Sequence, residues 1–171
     1  MWVFDATPLI YLAKVDRLEI VPELEKQCVI PERVYVEVVD RGIEAGHPDA
    51  RRVERAVSDG VFGVQPVEET ALLSRLSENQ RLSDADAAVL ACAAARDGIA
   101  VMDEAYGRDV ASAEGIETRG TAYLIVRLAS RGAIDVGTAR SVIDEMVDAG
   151  WYCAPDVYAK IVRKLDSIAS R

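Results

Sequence analysis

Apolar and polar positions along this chain alternate between short continuous apolar runs and runs spaced at the period of a helix. The stretch Leu82 to Glu104, LSDADAAVLACAAARDGIAVMDE, shows both in succession. Ser83 followed by Asp86 has the spacing of a capping box, which starts a helix there. Val89, Leu90, Ala93 and Ala94 then recur at helical spacing, and Asp97-Gly98 stops the helix. Ile99 to Met102 reads as a short buried strand, with Asp103 directly after it.

The same alternation runs through the rest of the chain. Trp2 to Phe4 is an apolar strand ended by Asp5; Thr7 then serves as the cap of a helix whose first position is Pro8 and whose apolar face carries Leu9, Ile10, Leu12 and Ala13. A short helix around Val21 to Glu25 precedes a strand at Cys28 to Ile30. Pro31 opens a helix to about Asp40, closed by Gly42, with Arg33, Glu37, Asp40 and Arg41 on a polar stripe. Pro48 to Ser58 is an Arg-rich helix stopped by Gly60, Val61 to Val67 a third strand, and Glu68 to Glu78 another helix. After Asp103, Glu104 to Ala113 continues as helix, and Gly115-Ile116-Glu117 leads to a brief edge strand. Thr121 to Ser130, Asp135 to Ala149 and Ala154 to Ile168 complete the chain as helices. Strands alternating with helices call for a parallel sheet covered on both faces. No repeat, low-complexity tract or linker divides the chain, so a single domain over residues 1–171, helical from about residue 120, is expected.

Composition narrows the chemistry. Half of the 171 residues are apolar, enough for a substantial core. The net charge of -9 and pI near 4.7 argue against a general nucleic-acid sponge. Arginine dominates the cations, because Lys14, Lys26, Lys160 and Lys164 are the only lysines. Cys28, Cys92 and Cys153 lie far apart among apolar neighbours and read as reduced core thiols. MWVFD enters a strand without a basic leader, and the longest apolar run, Ala87 to Ala95, is too short to span a membrane, so a soluble cytoplasmic protein is expected.

Four acids fall where chemistry would need them. Asp5 and Asp103 follow strands, Asp86 starts a helix, and Glu37 sits on a polar helical stripe. In open parallel sheets the crevice beyond the strand C-termini is the usual ligand site. The one histidine, His47, stands beside Pro48 in a loop or helix start, which leaves Ser-His-Asp and Cys-His mechanisms poorly supported. Carboxylates without imidazole or thiolate partners suit hard, oxygen-seeking ions such as Mg²⁺ or Mn²⁺. Each acid also has an ordinary reading: Asp84 and Asp86 complement a helix dipole, Asp5 and Asp103 end strands in turns, and Glu37 is solvated. The joint arrangement favours a site over four separate accidents.

At these residues the chain resembles the PIN-domain ribonucleases, over nearly its whole length. FDATPLIYLAK is similar to the family's first motif, with Asp5, Ala6 and Thr7 as its acid, small residue and hydroxyl. VYVEVV aligns Glu37 with the second acid, LSDADAAVLACA aligns Asp86 with the third, and VMDEAYGRDVASAEGI aligns Asp103 with the fourth. The resemblance implies a three-layer α/β/α fold with about five parallel strands and a helical C-terminal extension. It also implies Mg²⁺- or Mn²⁺-dependent cleavage of single-stranded RNA. Asp5, Asp86 and Asp103 would be metal ligands, Glu37 a ligand or water orienter, and Thr7, Asp84 and Glu104 secondary candidates. Many relatives are VapC-like toxins restrained by a cognate antitoxin, and homodimers are common among them. One departure is Met102, which stands where the fourth motif often has Thr or Ser. Candidate phosphate contacts are Arg51, Arg52 and Arg55 on one helix and Arg108 near the fourth motif. Interleaved Asp49, Glu54 and Asp59 equally suit an ordinary solvated helix face.

Two other readings compete. A haloacid-dehalogenase-type phosphatase also begins with an Asp after a strand, but wants a second Asp where this chain has Thr7. A non-catalytic PIN-like or receiver-like binding module would act through protein association. Tyr123 to Leu128 and Trp151-Tyr152 would then form the interface, although a core role suits them equally.

Overall fold

The three inner strands are short and apolar on both faces, as strands sandwiched between helices must be, and the two edge strands are partly polar. In the computed structural model, which describes residues 1–171, they are β1 (Trp2–Phe4), β2 (Cys28–Pro31), β3 (Gly63–Gln65), β4 (Ile99–Val101) and β5 (Thr118–Arg119). All pair in parallel, in the order β3-β2-β1-β4-β5. Trp2, Val3 and Phe4 lie opposite Ile99, Ala100 and Val101, and on the other side Trp2 and Val3 face Cys28 and Val29. The chain winds outward from β1 through β2 to β3, then crosses back to build β4 and β5 on the opposite flank. The reversal falls between β1 and β4, which is the topological switch point where a crevice opens beyond the strand ends.

Ten α-helical segments surround the sheet: α1 (Ala6–Lys14), α2 (Glu32–Tyr35), α3 (Arg41–Glu44), α4 (Pro48–Ser58), α5 (Ala71–Ser77), α6 (Asp84–Ala95), α7 (Ala105–Ala113), α8 (Thr121–Ser130), α9 (Val136–Asp148) and α10 (Pro155–Ala169). A 3₁₀ stretch, Leu18–Leu24, precedes β2, and a π-helical stretch, Val36–Asp40, joins α2 to α3. Helix α6, with α5 beside it, lies across β1, β2 and β4, while α1 packs on α4 and α9. The architecture is a three-layer α/β/α fold with a helical C-terminal part, and its buried apolar residues form a continuous cluster from Trp2 to Leu165. No helix is long and apolar enough to cross a membrane.

Several element ends differ from the sequence pattern. Asp5, in extended conformation, is the N-cap of α1, which begins at Ala6, so Thr7 lies inside the first turn. Gly42 does not end its helix. The π-helical turn carries the chain past it to Glu44, and a Cβ at Gly42 would stand 2.7 Å from that of Ala50, so glycine there permits the close approach of α3 and α4. The third strand shrinks to Gly63–Gln65 and the helix after it to Ala71–Ser77, where Thr70 accepts a hydrogen bond from the Leu73 amide. Of the three thiols only Cys28 is fully buried; Cys92 and Cys153 are half-buried.

The C-terminal helices are fastened back onto the beginning of the chain. Arg17 pairs with Glu145 at 3.1 Å, and the Tyr11 hydroxyl donates to the Gly150 carbonyl at 3.2 Å. Within the extension the Tyr158 hydroxyl donates to Asp144 at 2.7 Å.

Candidate active site

Asp5 is the innermost acid. Its amide donates to the Val101 carbonyl at 3.0 Å, which carries the β1–β4 ladder one residue past β1 and fixes Asp5 at the switch point. Its side chain is 5% exposed. Burial pushes its carboxyl up to about 7, the charge of Asp86 pushes the same way, the Ala6 amide opposes, and Glu37 and Asp103 add further repulsion. The other three sequence-predicted acids are thus brought within electrostatic reach of Asp5. None of the four forms a salt bridge with a lysine or arginine.

Asp86 is held by the capping box that its spacing predicts. Its amide donates to Ser83 Oγ at 3.0 Å, and the Ser83 amide donates to Asp86 Oδ2 at 3.3 Å, leaving Oδ1 without a partner in the chain. Glu37 projects from the π-helical stretch, a distortion that recurs at functional sites. It is exposed and shares a groove of about 610 Å³ with Arg33, Arg41, Ser83 and Asp84.

Asp103 is fastened by three donors. The Thr121 amide donates to Oδ1 at 2.8 Å, the Thr121 hydroxyl donates to Oδ2 at 2.8 Å, and Trp151 Nε1 donates to Oδ2 at 3.1 Å. A Cβ at Gly120 would lie 3.1 Å from Oδ1, so the missing side chain leaves room for this carboxylate. Thr121 and Trp151 were not among the sequence candidates. Thr121 reads as the start of an apolar helix and Trp151 as a core aromatic, and nothing local to either points at an acid in another motif. Met102 is fully buried, in the core cluster. The hydroxyl contact absent at Met102 is made to Asp103 from Thr121 instead.

The secondary candidates fall elsewhere. Thr7 is half-buried and its hydroxyl makes no hydrogen bond to protein, Asp84 is exposed on the groove wall near Glu37, and Glu104 is an exposed N-cap of α7. Arg108 lines a cleft of about 310 Å³ together with Asp103. The arginines of α4 have other positions. Arg52 donates to the Ala13 and Lys14 carbonyls at 2.7 and 3.2 Å, anchored on the end of α1 opposite to Asp5; Arg51 pairs with Glu54 at 3.1 Å. Arg55 is exposed and lines neither the Glu37 grooves nor the Asp103 cleft.

An all-oxygen set of acids, Asp5 buried, Asp86 and Asp103 half-buried and Glu37 exposed, none of them in a salt bridge, fits a hard divalent ion. No three ligating side chains converge tightly enough to enclose an ion by themselves.

Comparison with known proteins bears on the same conclusion. A family model described as a PIN domain matches residues 1–167. Among solved structures, the chain is similar to PAE2754 from Pyrobaculum aerophilum, with 20% sequence identity and a TM-score of 0.51 over 75% of this chain and 96% of that one. The likeness is one of fold. A search of curated proteins gives no match.

Proposed function

The chain belongs to the PIN-domain family, a family of nucleases, and on that premise we propose that it is a metal-dependent endoribonuclease hydrolysing phosphodiester bonds of single-stranded RNA. The observation that carries the proposal is Asp5: a carboxyl buried at the sheet's switch point and pushed up to about 7 by burial and by three neighbouring acids. Such repulsion is costly in a resting protein and is relieved by a cation.

Asp5, Asp86 and Asp103 would hold Mg²⁺ or Mn²⁺ directly or through water, with Glu37 as a ligand or an orienter of water. When bound, the ion lowers the pKa of its water and stabilises charge on the phosphate under in-line attack. Asp5 would hold the ion as the ionised carboxylate, the form that burial and the neighbouring acids disfavour in its absence. Asp86 presents Oδ1 while its other oxygen stays on the helix cap. Asp103 cannot swing away, because Thr121 and Trp151 hold both of its oxygens. Arg108, which lines the same cleft as Asp103, would meet a phosphate oxygen.

The test is cleavage of single-stranded RNA with Mg²⁺, with Mn²⁺ and with EDTA, comparing the wild type with Asp5→Asn and Asp103→Asn. Metal-dependent cleavage lost in both variants supports the assignment; unchanged cleavage in both sinks it. Within this reading a homodimer and a protein antitoxin are the partners that the family resemblance brings. Sedimentation of the purified chain tests the first, and growth arrest on expression, relieved by a neighbouring gene, tests the second.

A further inference from the structure

The C-terminal helices carry a groove that the acidic site does not explain. Between α8 and α10 lies a channel of about 430 Å³ with an apolar floor at Val126 and Ile161 and basic walls. It shares Ala122 and Tyr123 with the Asp103 cleft, so the two adjoin, and together they make a furrow from the fourth acid along α8, a helix of about 15 Å. Arg108, Arg119, Arg127, Arg131, Lys160 and Lys164 line it. These are six of the chain's 20 basic residues, including two of its four lysines, in a protein of net charge -9. Asp103 is the only acid on the walls of either part.

Several of these cations are available. Arg108, Arg127 and Lys164 take part in no salt bridge, while Arg119, Arg131 and Lys160 pair with Glu117, Glu25 and Asp156 at the surface. Two aromatic faces accompany them: Tyr152, 84% exposed, and Tyr123, 41% exposed, with the Arg119 guanidinium 5.0 Å from its ring centre. A cationic furrow interleaved with exposed aromatics is the form of surface that holds a single-stranded nucleic acid, with phosphates on the cations and bases on the rings. An acidic peptide would use the charges but has no need of the rings.

We infer that the α8–α10 furrow is the track for the RNA strand flanking the scissile phosphate, so that the helical C-terminal part is the substrate-binding arm of the active site. The inference rests on the ribonuclease reading for its direction, since the furrow leads from Asp103. It accounts for how a polyanion is retained by an acidic protein: cations concentrated beside the crevice offset the repulsion of the carboxylates.

The test is binding of a fluorescent single-stranded oligo(U) to the full chain in EDTA, where no cleavage intervenes, as a function of salt. Lys160→Gln/Lys164→Gln should weaken binding at least fivefold and flatten the slope of log K against log salt by about 1.4, two contacts at about 0.7 each. Tyr152→Ala should weaken binding with the slope unchanged. All the substituted positions are exposed, and circular dichroism checks that the variants fold. Unchanged affinity and slope in the lysine variant, or competition by poly-glutamate as strong as by unlabelled RNA, would overturn the inference. Weakened binding in the variants of a chain that cuts no RNA with any metal would keep the furrow as an RNA-binding surface and remove both the ribonuclease reading and the furrow's role beside a scissile phosphate. Cleavage with unaltered binding would keep the ribonuclease reading and remove the furrow from it.

Discussion

Trp151 Nε1 donates a hydrogen bond to Asp103 Oδ2 at 3.1 Å, joining residues 48 apart. The link ties the segment between α9 and α10 to the end of β4, and it leaves the apolar body of a 7%-exposed indole in the core. Trp151→Phe keeps most of that packing and removes the donor. A hydrogen bond to a charged group is worth about 1.5–3 kcal/mol, and urea unfolding of the variant should show a loss of that order. Asp103→Asn should cost less in the Trp151→Phe background than alone. Additivity of the two losses within about 0.5 kcal/mol would show the contact to be energetically idle.

Asp5 sets a pH dependence of known sign. Its carboxyl ionises at about 7 in the folded chain against 3.8 as the ordinary value. Between those values the unfolded chain has lost the proton and the folded chain keeps it, so this group makes stability fall as pH rises from about 4 to about 7 and level off above. In EDTA, Asp5→Asn should abolish that slope and raise stability at pH 8 by up to about 4 kcal/mol. Mn²⁺ should raise the wild-type melting temperature more at pH 8 than at pH 5.5, and should not do so in Asp5→Asn. A wild-type stability that is flat across this range would contradict the account.

The capping box separates stability from activity. Ser83→Ala removes the oxygen that accepts the Asp86 amide, but keeps the residue-83 amide that donates to the Asp86 carboxylate. The expected loss is about 1 kcal/mol, or roughly 2–4 °C in melting temperature for a chain of this length. RNA cleavage measured well below that melting temperature should stay within about twofold of wild type. A large fall in kcat would mean that the serine hydroxyl itself positions Asp86.

Arg52 has a structural task that its place in an Arg-rich helix does not disclose. Its guanidinium caps the last carbonyls of α1 at Ala13 and Lys14. Arg52→Gln should therefore cost about 1 kcal/mol of stability while leaving RNA affinity and its salt slope unchanged. A shallower slope in a binding titration would return Arg52 to the phosphate contacts.

Local pattern made much of this legible. The capping box at Ser83 and Asp86, the strand-end positions of Asp5 and Asp103, and α4 from Pro48 to Ser58 all follow from spacing and residue type, and they appear where spacing puts them. Patterns are less informative where a tertiary contact overrides a local rule. Gly42 reads as a helix stop, yet it serves a close approach to Ala50. The hydroxyl missing from Met102 comes back through Thr121, which is adjacent to Asp103 only after β5 has paired with β4. The contacts of Arg52 to α1, and the gathering of cations from α7, β5, α8 and α10 into one furrow, depend on helix packing, and no spacing rule reports it.

The pairing of β1 with β4 bears on when activity can arise during synthesis. Trp2 meets Ile99 and Phe4 meets Val101, so a ribosome must deliver some hundred residues before Asp5 and Asp103 can share an edge. The indole that holds Asp103 arrives about fifty residues later still. A nascent chain therefore carries Asp5 and Glu37 long before the strand that sets Asp103 beside Asp5 has been made.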